Sequence, residues 1–338
     1  MTSVIAAFPP PISSHRARVP SLRSPLTDKR KGCGNMVVAK VWNLVRRPEG
    51  TPRVDDFALV EEQLPPCKEG DVLVEAVALS VDPYMRYRSR IIPLNAPMFG
   101  SQVAKVIESK NPEWPVGTHL VHYEGWRTHS LLTAQYIKEN QFTIKPMPEM
   151  GNLPKSLGIG ILGMPGNTAY FGLLDICNPK AGETVLVNGA AGAVGSAVVQ
   201  IAKIKGCTVI AFAGSDEKVA WVKELGADYV FNYKTTNISD ALSKMAPNGI
   251  NVYFDNVGGK FTAEALPHMA DFGRVSVCGA ISTYNEKKDE AVAINASLVF
   301  PIGKLKYKET EFHGFENMPK AFIGLFHGEN TGKAVVLP

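Results

Sequence analysis

Cysteine is scarce and scattered: five residues, at 33, 67, 177, 207 and 278, with no C-x-x-C pair and an odd total. This spacing excludes a disulfide framework or a zinc knuckle and fits a reducing compartment, so a cytoplasmic location is expected. No apolar run approaches the ~18–20 residues of a membrane span, and no bilayer partner is expected. Acids are nearly missing from residues 1–35, where Arg16, Arg18, Arg23, Lys29, Arg30 and Lys31 face only Asp28. That segment carries +5, so the overall +4 leaves −1 for the remainder, and a nucleic-acid partner has no electrostatic support.

The composition of residues 1–35 resembles an organellar transit segment, with mitochondrial targeting as a secondary reading. Prolines at 9, 10, 11, 20 and 25 argue against a continuous amphipathic helix. A disordered tail, or an extended start ahead of Met36, accounts for the same residues. His119, His122 and His129 invite a metal reading. A spacing of three on a strand points side chains to opposite faces, and no cysteine or nearby carboxylate completes a set, so no metal is expected.

What is present centres on residues 184–218, which read as strand, glycine turn, helix and second strand. The β-branched run TVLV leads into Gly189, Gly192 and Gly195, and residues 196–205 carry apolar side chains at helical spacing. Gly192 lets the backbone approach a pyrophosphate, Gly195 lets helix and strand pack closely, and unpaired N–H groups at the helix start bind the anion. The second strand ends in Phe212-Ala213-Gly214-Ser215, with no acid to hold ribose hydroxyls. Asp216 and Glu217 begin the next helix, and Lys218 follows. A missing acid with a nearby cation predicts NADP(H) rather than NAD(H).

From Met36 the chain reads as a compact β-rich region of partly open barrel type, with strands in VVAKVWNLV, FALVEEQL and DVLVEAVALSV. The stretch SLGIGILGMPGNTAYFGLLDIC is expected to be helical after Gly166, capped by Asn167 or Thr168. Strands TVIAFA, YVFNY, INVYFDNV and GRVSVCG alternate with helices at 216–225, 236–246 and 260–270, an α/β doubly wound parallel sheet. From residue 303 the pattern returns to short strands with one helix. The expected organisation is a β-rich domain of residues 36–158 and 303–338 around a dinucleotide-binding domain of residues 159–302.

The segments SVDPYMR, GMPGNTAYFGLL, AAGAVGSAVVQIAK, GSDEK, FNYK, YFDNVGG, CGAISTYN and GFENMPKAF resemble the zinc-independent medium-chain reductases, over nearly all of the chain after Met36. The Gly-His-Glu motif and four-cysteine lobe of the zinc-dependent relatives have no counterpart here. The resemblance implies a GroES-like catalytic domain, a Rossmann domain, and NADPH-dependent reduction of carbon–carbon double bonds conjugated to a ketone or aldehyde. Implied substrates are small-molecule enals, enones and 15-oxoprostaglandins, with leukotriene 12-hydroxy oxidation in reverse.

By the same resemblance, Gly192, Ala193, Val194 and Gly195 hold the pyrophosphate, and Lys218 and Tyr233 the 2′-phosphate end. Asn256 and the loop Cys278, Gly279, Ala280, Ile281, Ser282, Thr283 and Tyr284 follow the ribose and nicotinamide, and Asn330 reaches the cofactor from the C-terminal segment. Tyr284 is the implied hydrogen-bond donor or proton source, with packing on the cofactor alone as its other reading. Arg86, Arg88 and Arg90 fall toward an acid-tail end of the substrate groove, where Ile91 replaces a further cation of the family.

The pattern departs from the family after Tyr284. Only sixteen residues, 285–300, precede Pro301, whereas a crossover helix, a strand and their loops need at least ~20. The expectation is a deletion of about two elements, with AVAINASLVF as remnant or substitute and the fifth strand left as an edge. That loss removes the strand through which the superfamily often pairs across a homodimer. It also leaves a second functional reading, a non-catalytic NADPH-binding isoform.

Overall fold

The computed structural model describes residues 36–286 and 306–338. The transit-like segment and most of the shortened stretch after Tyr284 lie outside the described residues. The N-terminal part contains β1 (Val38–Leu44), β2 (Phe57–Gln63), β3 (Val72–Ser80), α1 (Met85–Arg88), β4 (Ala96–Pro97), β5 (Gln102–Ser109), β6 (His119–His122), β7 (His129–Leu132), α2 (Ala134–Glu139) and β8 (Lys145–Pro146). Then come α3 (Met164–Phe171), β9 (Thr184–Val187), α4 (Ala193–Ile204), β10 (Thr208–Ala213), α5 (Asp216–Glu224), β11 (Tyr229–Asn232), α6 (Ile238–Met245), β12 (Ile250–Asp255), α7 (Gly259–Ala265) and β13 (Met269–Val277). The chain closes with β14 (Glu309–His313), α8 (Met318–His327) and β15 (Lys333–Leu337).

Strands β9 to β13 form a parallel sheet in the order β11-β10-β9-β12-β13. Successive strand residues point to opposite faces. Val185, Val187, Val209 and Ala211 therefore enter one core with Ala197 and Val198 of α4, while Leu186, Ile210 and Phe212 enter another with Leu242 and Phe261. Both faces are covered, which is why these strands read as nearly continuous apolar runs. The strand order reverses between β9 and β12, and the carboxyl ends of these two strands open a crevice there.

The second large sheet runs β14-β15-β3-β5-β6-β8, with β7 on β3, and β1 joins β2 and β4 in a smaller one. The C-terminal strands enter through β15, which pairs with β3 at Val335↔Ser80 and Val336↔Leu79. The expected helix after Gly166 begins earlier, at Met164 behind Gly163, with Pro165 in its first turn. Proline lacks an N–H where none is needed, so it starts a helix better than an interior Asn. Asn167 and Thr168 are accordingly not caps: Asn167 is buried and the Thr168 hydroxyl donates to the Met164 carbonyl.

His122 is fully buried on β6 and accepts the Glu124 N–H at Nδ1, 3.3 Å away. Burial, and then the Arg127 charge, bring its pKa down to about 3. The unfolded chain therefore takes up this proton first, at ~6.5. Stability is full above that pH and is lost on acidification toward 3, by at most about 1.4 kcal/mol per pH unit. Urea unfolding between pH 7 and 4.5 should show this slope, and His122→Asn should flatten it. Among the described residues, no group of three or more His, Cys, Asp or Glu is placed to share a metal ion.

Candidate active site

The crevice is built first by the turn after β9. Gly189 takes φ +55°, and the Gly192 N–H donates to its carbonyl at 2.9 Å. Gly192 then caps α4 without a side chain, so no capping oxygen competes for the amides of Ala193, Val194 and Gly195. These first-turn N–H groups have no intrahelical acceptor and form an anion cradle. A Cβ on Gly195 would sit 2.8 Å from the Ala190 Cα, so only glycine lets the helix start this close to the turn.

The C-terminal segment closes over this turn. The Gly332 N–H donates to the Ala191 carbonyl at 2.8 Å, and Asn330, fixed by its amide on the Gly332 carbonyl, comes with it. At the end of β10, Tyr233 covers Gly214, whose added Cβ would lie 3.1 Å from the ring. Ser215 caps α5 by accepting the Lys218 N–H. The Lys218 amine donates to the Gly328 carbonyl, and burial, then the neighbouring Lys234, lower its pKa. Asp216, the first acid after β10, accepts from the Asn232 amide at 2.8 Å and is held at the helix start. The arrangement suits a phosphorylated ribose: two lysines and a tyrosine, with Asp216 bonded elsewhere.

Sequence reasoning missed the polar joint at the centre of the crevice. Buried Asn188 donates to the Asp255 carboxylate at 2.8 Å and to the Tyr253 hydroxyl at 2.7 Å, and accepts the Asn256 N–H at 2.6 Å. Asp255 also accepts from the Val257 and Gly258 N–H groups and the Thr262 hydroxyl. This joint locks the ends of β9 and β12 together. Burial, and then the Asp255 charge, raise the Tyr253 pKa, so its hydroxyl stays protonated. The signal was an Asn directly before the glycine turn and an Asp at the end of the next strand but two.

Asn256 turns its amide to the Asn188 carbonyl at 2.8 Å, and the loop after β13 follows beside it. Cys278 and Gly279 donate to the Asp255 carbonyl, and Ser282 binds the Val257 carbonyl through both N–H and hydroxyl. Burial, then the Asp255 charge, push the Cys278 thiol up to about 12, which leaves it unreactive. Ile281 and Thr283 complete the turn, with Thr283 donating to the Ala280 carbonyl. Tyr284 accepts the Ala280 N–H at 3.3 Å, so its own O–H remains a donor. Burial raises its pKa first, and the Ala280 bond partly offsets this.

Arg86 and Arg90 bond to backbone carbonyls. Arg86 is buried and donates to the carbonyls of Pro48 and Gly50 and to Asn285 Oδ1. Arg90 donates to the Tyr284 carbonyl at 3.0 Å, and Arg88 lies over the Phe99 ring at 4.9 Å. Burial among carbonyls turns Arg86 inward, away from the acid-tail role expected of it. Phe99 continues into an aromatic row with Tyr84 and Tyr123.

Comparison with known proteins agrees with this architecture. Residues 40–139 match a family model described as the N-terminal domain of oxidoreductase, and residues 193–318 one described as zinc-binding dehydrogenase. Prostaglandin reductase 1 of Bos taurus is 46% identical over 332 residues, covering 89% of this chain and 99% of the relative. The NADP(+)-dependent 2-alkenal reductase of Nicotiana tabacum is 40% identical, over 79% and 87%. The crystal structure of CurA from Vibrio vulnificus in complex with NADPH superposes with a TM-score of 0.78 at 34% identity, over 88% of this chain and 98% of that one. Relatives 46% and 40% identical, each matched over more than two thirds of this chain, show the family: the chain belongs to the zinc-independent medium-chain dehydrogenase/reductase family.

Proposed function

We propose that the chain reduces the α,β carbon–carbon double bond of enals and enones with NADPH. The observation that carries this reading is Lys218, bonded to Gly328 of the C-terminal segment whose Gly332 closes over the glycine turn, at a strand end where Asp216 is engaged by Asn232. The names of the bovine and tobacco relatives support the substrate class, which includes 15-oxoprostaglandins and lipid-derived alkenals. When bound, NADPH supplies the hydride to the β carbon.

The residues of the chain do the rest. Gly192, Ala193, Val194 and Gly195 grip the pyrophosphate, while Lys218 and Tyr233 hold the 2′-phosphate. Asn256, the loop from Cys278 to Thr283, and Asn330 line the remainder. Tyr284 donates a hydrogen bond to the substrate oxygen as charge develops there, or passes its proton onward. The relatives named as reductases, 46% and 40% identical, favour turnover over the non-catalytic alternative.

We also read the stretch after Asn285 as shortened. The bovine alignment runs over 332 positions yet takes in 89% of 338 residues, about 301, so about 30 positions have no residue here.

The cofactor test is the ratio of NADPH to NADH efficiency with trans-2-nonenal. Lys218→Ala should lower kcat/KM for NADPH about tenfold or more and leave NADH nearly unchanged. The preference for NADPH should also fall as pH rises through the lowered Lys218 pKa, since the neutral amine loses the phosphate. Equal effects on both cofactors would remove Lys218 from the phosphate site.

A further inference from the structure

The Asp82–Lys333 pair is one that the cofactor and substrate roles above leave unused. Both side chains are nearly inaccessible, at 6% and 4% exposure, and they meet at 2.9 Å across 251 residues of sequence. The Lys333 amine also donates to the Val81 carbonyl at 2.7 Å, and the Ser80 hydroxyl donates to the second Asp82 oxygen. Burying two charges costs several kcal/mol per ion, and a well-packed apolar pair of the same volume is often as stable. Stability alone is therefore a poor reason for these two residues.

Their positions supply a better one. Lys333 directly follows Gly332, which is bonded to the glycine turn at Ala191. Asp82 opens the turn into α1, accepting the Met85 N–H on its carbonyl. From α1, which this turn starts, Arg86 reaches Asn285, and just past its end Arg90 reaches the Tyr284 carbonyl. One ion pair thus joins the segment lying on the phosphate cradle to the segment holding the Tyr284 loop.

We infer that Asp82 and Lys333 are positioning residues that fix the Tyr284 loop relative to the phosphate-binding turn. This rests on the proposed reductase reading and adds the residues that set its geometry. A double-mutant cycle tests it, using Lys333→Met, Asp82→Asn and the two together. Each variant is measured for thermal midpoint, NADPH dissociation constant by fluorescence titration, and kcat with trans-2-nonenal.

Lys333→Met leaves a buried carboxylate unpaired and should lower the midpoint. The neutral double variant should recover the midpoint, yet stay at least tenfold down in kcat and at least threefold weaker for NADPH. A double variant with wild-type midpoint, affinity and kcat would overturn the inference, because the pair would then serve folding alone. Asp82→Glu keeps the charge and lengthens the arm by one methylene, so it answers the same question if the double variant does not fold. It should fold with lowered kcat, and an unchanged kcat overturns the inference. Absence of turnover in the wild-type chain would sink the reductase reading itself, and the NADPH affinities would still report on the pair.

Discussion

Tyr284→Phe should lower kcat for 2-alkenal reduction by about 10²-fold or more, and leave the NADPH dissociation constant within about twofold. The hydroxyl accepts the Ala280 N–H and keeps its own proton for donation. Burial raises its pKa, so that proton is in place throughout the neutral range. Phenylalanine preserves the ring and its packing, so the substitution removes the donor and the one long bond that the hydroxyl accepts from the Ala280 N–H. The Arg90 bond is to the Tyr284 carbonyl, and the loop should hold its course in the variant. Steady-state kinetics with a fluorescence titration of NADPH separate the two quantities. An unchanged kcat assigns Tyr284 to cofactor packing alone.

The second large effect is expected at Gly195. An alanine Cβ there would stand 2.8 Å from the Ala190 Cα, closer than real contacts allow, and backbone cannot swing aside as a side chain can. The start of α4 must move away from the turn. That should cost about 1–3 kcal/mol of stability and weaken NADPH by about 10²-fold, because the amide cradle is what moves. Gly192→Ala is the milder control. Its Cβ would meet the Gly189 carbonyl oxygen at 3.2 Å, so the chain should fold while the cofactor is held less closely. Chemical denaturation and NADPH titration of both variants check this. Equal affinity in Gly195→Ala and the wild-type chain would remove the turn from cofactor binding.

The parallel sheet was legible because its strands repeat a simple code. Val185 and Val187 face α4 while Leu186 faces the opposite core, and β10 repeats this with Val209 and Ala211 against Ile210 and Phe212. The glycine turn was legible for a local reason too, since a strand, three glycines and a helix follow one another directly. Long-range polar contacts were not legible. Asn188 finds Asp255 after 67 residues and Lys333 finds Asp82 after 251, and no periodicity marks either pair. Arg86 was misjudged for a related reason: a cation beside a groove reads as solvent-facing until its carbonyl partners, 36 and 38 residues upstream, are known. The early start of α3 turned on Pro165, whose place in a first helical turn was passed over in favour of Asn167.

The most direct measurement is the product formed when the purified chain consumes NADPH in the presence of trans-2-nonenal. Reduction of the conjugated double bond yields nonanal, the result the account predicts. Formation of 2-nonenol, or NADPH bound without any consumption, would contradict it.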